Sequence, residues 1–158
     1  MTNEKTTFVY VTYIRATQQK IFDAITRPEI AARYWGHGNV SDWKVGSRWE
    51  HVRDNEEKKV NIAGDVIEID PPKRLVISWS DPSEYDNREA HSRVTFDLVP
   101  YEDMVRLTVT HDELEAGSGM ANGISRGWPL VLSSLKSYLE TDEAIDVFAE
   151  PCATDAAA

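Results

Sequence analysis

Six apolar side chains near the end of the chain, Trp128, Val131, Leu132, Leu135, Tyr138 and Leu139, recur at steps of three and four. That spacing sets them on one wide stripe of an α-helix, with Ser133, Lys136, Ser137 and Glu140 facing elsewhere. Such a helix needs an apolar surface to cover its stripe, and the chain ahead of it reads mainly as strand. From Trp128 to Thr141 it measures ~21 Å at the usual rise per residue. A seven-residue strand spans ~23 Å, so one helix can lie along one sheet face. Pro129 leaves the start open. Either the helix begins at Gly127 or Trp128 with Pro129 in its first turn, or it begins near Ala121 and kinks.

The strands are read from alternation. Phe8 to Ile14 is β-branched and aromatic on both faces, which predicts a strand covered on both sides. Thr17 is an N-cap for a helix over 18–26, and Pro28 opens a second short helix over 29–34, ended by Gly36 and Gly38. Residues 47–53, 59–69, 75–79, 92–99 and 105–111 then alternate as strands. Gly64 predicts a bulge in the second of these, and Asp70-Pro71-Pro72 and Tyr101-Glu102-Asp103 are turns. The charged stretch from Asp81 to Ala90 reads as a solvent loop. Helices flank a meander instead of alternating with strands, so the fold class is α+β with an antiparallel sheet of about six or seven strands.

With 158 residues, the expectation is a single domain over residues 1–148 and a disordered tail over 149–158. A formal charge of −10 without any basic run excludes nucleic acid as a partner and disfavours anionic membranes. The single Cys152 cannot form an internal disulfide, and no leader-like or spanning apolar run occurs, so a cytoplasmic location is expected. His37, His51, His91 and His111 lack metal-ligand spacing, and neither a phosphate loop nor a nucleophile elbow is present. No cofactor, metal or catalytic residue is therefore assigned. The carboxylates bunch in turns, and Arg48 and Glu50 share a strand face that we place on the outer surface.

Several motifs resemble one known family. Ala31-Ala32-Arg33-Tyr34-Trp35-Gly36 is similar to the aromatic-Trp-Gly end of its second short helix. Val45-Gly46-Ser47-Arg48-Trp49 resembles its Val-Gly-Gly-Arg-aromatic step, with Ser47 in place of the second Gly. The run from Gly64 to Trp79, then Ser92 to Phe96, Leu107 to His111 and Gly127-Trp128, follow the family order. That family is AHSA, the domains similar to the C-terminal part of the activator of heat-shock protein 90 ATPase, within the SRPBCC or START-like superfamily. The resemblance spans about residues 8–141 and implies the helix-grip fold, a curved antiparallel sheet around a long C-terminal helix with an apolar cavity between them. The superfamily hosts lipid carriers, hormone binders, cyclases and co-chaperone domains, so fold alone does not settle function.

Strand phase and the resemblance together nominate a ligand site of Trp35, Trp49, His51, Trp79, Phe96, His111, Trp128 and Leu132. The expected ligand is small and apolar, lipid-like or polycyclic aromatic. His111 continues the inward Val105-Leu107-Val109 face and has two readings, a core histidine satisfied by a backbone carbonyl or a polar fixture at the cavity mouth. His51, in phase with Trp49, has the same two. The alternatives are activation of heat-shock protein 90 and a cyclase- or hydrolase-like enzyme with His111 or His51 as general base. As an assembly, monomer and homodimer both remain open.

Overall fold

A computed structural model describes residues 4–147. The tail expected over 149–158, Cys152 included, lies outside the described residues. The chain runs β1 (Lys5–Ile14), α1 (Gln18–Thr26), α2 (Pro28–Trp35), β2 (His37–Val40), β3 (Arg48–Arg53), β4 (Val60–Asp70), β5 (Arg74–Trp79), β6 (Ser92–Tyr101), β7 (Met104–Glu115) and α3 (Gly119–Thr141). All neighbours pair antiparallel in the order β1-β7-β6-β5-β4-β3-β2, so the first strand closes onto the last. This is the α+β helix-grip architecture. Register shifts at Thr6/Phe8, His51/Val52 and Val66/Glu68 put an extra residue on one side of a ladder, which bends a sheet.

The two sheet faces differ in kind. Leu75, Ile77, Val94, Phe96, Leu98, Val105, Leu107 and Val109 are buried on the concave side beneath Trp128, Leu132 and Leu135 of α3. On the convex side, directly paired residues carry opposite charge: Arg93 meets Asp112 at 2.6 Å and Arg74 meets Asp97 at 2.7 Å. Arg48 and Glu50 pair there too, at 2.8 Å, as the sequence predicts. Half-exposed pairs of this sort contribute roughly 0–1 kcal/mol each, against ~1.5–3 kcal/mol for each large apolar side chain buried. The concave layer therefore holds the helix on the sheet.

Three sequence expectations are corrected. The outer face of β1 is not covered, because it belongs to the convex side of the sheet, which is open along the central strands too: Val9 is 55% and Val11 46% exposed. The segment after α2 is not merely a helix stop. Gly36 adopts φ 72° and caps α2, but His37 to Val40 then pairs with β3. Gly64 marks a close approach and not a bulge: a Cβ there would lie 2.0 Å from the Ser78 carbonyl oxygen and 2.7 Å from Trp49 Nε1. The Asp81–Ala90 loop is exposed, as expected, and also pinned: the guanidinium groups of Arg48 and Arg88 lie over the Tyr85 ring at 4.1 and 4.2 Å, and the Tyr85 hydroxyl donates to Asp65 at 2.6 Å.

The last helix starts earlier than its apolar stripe. Ser118 caps it, its hydroxyl accepting the Ala121 N–H at 3.0 Å, so Pro129 lies inside the helix. Pro129 has no N–H to give the Ser125 carbonyl, and neighbouring hydroxyls bond within the same turns, Ser125 to Ala121 O and Ser133 to Pro129 O, both at 2.7 Å. The added turns bring Gly123 and Gly127 to the cavity described next.

Candidate functional site

A cavity of about 270 Å³ lies between α3 and the β2–β3–β4–β5 side of the sheet. Its walls are the indoles of Trp35, Trp79 and Trp128, the imidazoles of His37 and His51, and the aliphatic side chains of Ile62, Ile124, Leu130, Val131 and Val147. Gly123 and Gly127 complete the helical wall, four residues apart and thus on one helix face. A Cβ built at either glycine meets nothing within 4 Å. Glycine inside a helix costs ~0.5–1 kcal/mol relative to alanine, and here the missing methyls leave room on the cavity side.

The aromatic wall is one contiguous cluster. Trp128 packs against Trp35 and Trp79, each with ring centroids 5.5 Å apart, and Trp35 meets His51 edge-on at 4.6 Å. Strand register explains the histidines. Asn39 of β2 and Ile62 of β4 are the direct partners of His51, and His37 stands two residues from Asn39 on the same face. The His37 and His51 rings accordingly stack at 4.3 Å, nearly parallel.

Hydrogen bonds fix the state of His51. The Asn39 amide donates to Ile25 O at 2.7 Å, which turns its Oδ1 toward His51 Nδ1, also 2.7 Å away. Nδ1 must then carry the proton, leaving Nε2 as a lone-pair acceptor with no bond to any described residue. Burial, with the adjacent His37 charge second, pushes the His51 pKa well below its usual 6.5. Trp79 lines the same wall with its ring, but its polar atom is enclosed. Its indole N–H is the one buried side-chain polar atom without a partner among the described residues.

His111 is arranged differently. Trp128 Nε1 donates to its Nδ1 at 3.0 Å, and its Nε2 faces Ser92 Oγ at 2.7 Å, which donates onward to Trp79 O at 3.2 Å. Both ring nitrogens are committed, and burial lowers its pKa to about 4. Of the two histidines offered as a general base, only His51 keeps a nitrogen for an outside proton.

Four of the eight expected site residues, Trp35, His51, Trp79 and Trp128, come together at the cavity. Trp49, Phe96, His111 and Leu132 do not reach its surface. Trp49 turns its N–H to Ser78 O at 2.8 Å, and Phe96 and His111 sit behind Trp128 at 5.8 and 6.2 Å. Alternation gives the inward phase of a strand but not whether a neighbour covers the side chain. Sequence reading missed His37 and Asn39, because the four residues His37-Gly38-Asn39-Val40 are too few to show a period. It missed Gly123, Ile124 and Gly127 because they precede the stripe. Among the described residues no cluster of three or more His, Cys, Asp or Glu could hold a metal, and no helix is long and apolar enough to cross a membrane.

Fold and cavity together define a helix-grip domain with a compact aromatic-walled chamber. The chain belongs to the family of Activator of Hsp90 ATPase homolog 1-like proteins, whose model matches residues 15–140. A comparison with curated proteins returned no match. Among solved structures, the Aha1 dimer from Colwellia psychrerythraea is similar at 20% identity and a TM-score of 0.71, over 86% of this chain and 97% of that one. An HSP90 activator from Plasmodium falciparum is similar at 21% and 0.69, over 85% and 96%. CalU16 from Micromonospora echinospora is similar at 20% and 0.66, over 86% and 77%. At these identities the likeness concerns the fold.

Proposed function

We propose that this protein binds a small apolar, aromatic molecule in the chamber between α3 and the sheet. The observation that carries the proposal is the wall itself: three indoles and two helix glycines around 270 Å³, with no Lys, Arg, Asp or Glu lining it. Apolar chambers with a few fixed polar atoms are the usual form of small-molecule sites. The volume lies just under the ~300–1,000 Å³ typical of drug-sized ligands, which favours a compact ring system over a long-chain lipid. Titration with two- and three-ring aromatics, followed by quenching of tryptophan emission, tests this. Saturable quenching at micromolar ligand supports it, and no response across the panel removes it.

A second reading follows the family, which is described by activation of the Hsp90 ATPase. Stimulation of that ATPase by this protein at micromolar concentration would establish it, and its absence would remove it. The similar Aha1 structure is a dimer, and here the exposed Val9 and Val11 lie on an edge strand, so a homodimer belongs to this reading. Analytical ultracentrifugation decides that point.

A further inference from the structure

One polar atom of the cavity wall stands open in a fixed state. His51, 5% exposed, lines the cavity and offers a lone pair at Nε2, which bonds to no described residue and is not among the fully enclosed unpartnered atoms, so it opens on the cavity. An acceptor in so apolar a wall calls for a donor. The ring is held firmly. Asn39 fixes the tautomer of His51, and the rings of His37 and Trp35 pack against it at 4.3 and 4.6 Å. Trp79 packs beside it at 5.9 Å.

We infer that the chamber recognises a neutral, flat aromatic alcohol, a phenol or naphthol, whose hydroxyl donates to His51 Nε2. This rests on the chamber being a ligand site, and it names the ligand's chemistry. A hydroxyl has a proton to give that lone pair, whereas an ether and a hydrocarbon have none. A carboxylate is excluded on two grounds. It would set its charge against a lone pair, and no cationic Lys or Arg lines the wall to compensate the loss of water. Fatty acids therefore fall outside the class. The glycines of α3 leave open space on the helical side of the cavity, room for a ring. Burial keeps His51 uncharged at neutral pH, so its lone pair persists.

The test is calorimetric titration of the whole protein with four probes: naphthalene, 2-methoxynaphthalene, 2-naphthol and 2-naphthoate. The expected result is 2-naphthol binding about tenfold tighter than the hydrocarbon or the ether, and 2-naphthoate weakest. In His51→Phe, which keeps a flat ring for the stack, that preference should vanish while naphthalene still binds. The nitrogen NMR signal of His51 Nε2 in the unmodified protein gives a reading independent of any variant. It should move on adding 2-naphthol and stay in place on adding naphthalene. Equal binding of 2-naphthol, the ether and the hydrocarbon overturns the inference but leaves the chamber as a ligand site. Tightest binding of 2-naphthoate overturns it as well. Failure of all four probes overturns both.

Discussion

Trp128 on the last helix donates its indole N–H to His111 on the last strand, at 3.0 Å, in a site where His111 has no solvent exposure. The bond continues through Ser92 to the backbone of Trp79, so one chain of donors and acceptors crosses from helix to sheet behind the chamber. Substituting Trp128→Phe keeps an aromatic ring but leaves Nδ1 of a buried imidazole without its donor. The expected cost is ~1–3 kcal/mol, read as a lower urea midpoint with an unchanged slope.

Buried neutral histidines make stability depend on pH in a defined window. His51 and His111 both have folded pKa values below the unfolded 6.5, His111 at about 4, where Asp112 nearby opposes but does not outweigh burial. Between those limits the unfolded chain binds more protons, so the contribution is complete above pH 6.5 and is lost as pH falls toward 4. Each histidine adds up to about 1.4 kcal/mol per pH unit. Urea unfolding at pH 7.0 and 5.5, above the range where carboxylates titrate, should show the loss. Equal stability at the two values would contradict the buried neutral state.

Gly127→Ala separates stability from binding. The new methyl meets no protein atom, and the helix gains ~0.5–1 kcal/mol in propensity. Thermal unfolding should rise by a few degrees while affinity for 2-naphthol falls severalfold, since the methyl enters the chamber. Gly123→Ala should behave alike.

Gly64→Ala should do the opposite. Its Cβ would overlap the Ser78 carbonyl at 2.0 Å, and neither backbone can withdraw from the ladder. Destabilisation at or beyond the ~3 kcal/mol upper end of ordinary overpacking is expected, checked by denaturant titration or by yield of folded protein.

How far the sequence reached follows from what alternation reports. The paired strands Ser92–Tyr101 and Met104–Glu115 and the stripe Trp128–Leu135 repeat over many residues, so their inward faces were legible. The four-residue β2 is too short to show a period, and its glycine reads as a breaker, so His37 and Asn39 went unseen beside His51. Gly64 needed the third dimension: one missing Cβ looks the same for a bulge as for a strand pressed against Trp49. The split of the eight expected site residues has the same origin. Phase says which side of the sheet a ring occupies, whereas Trp128 alone decides that Phe96 and His111 stand behind it.

The five tryptophans place a reporter at each position that matters. A proton–nitrogen correlation spectrum of the indole N–H signals, recorded while 2-naphthol is added, addresses the chamber directly. The signals of Trp35, Trp79 and Trp128 should move, while Trp43, whose N–H is bonded to Thr26 O away from the chamber, stays in place. Static signals for Trp79 and Trp128 at saturating ligand, or movement confined to Trp43, would contradict a ligand site between the last helix and the sheet.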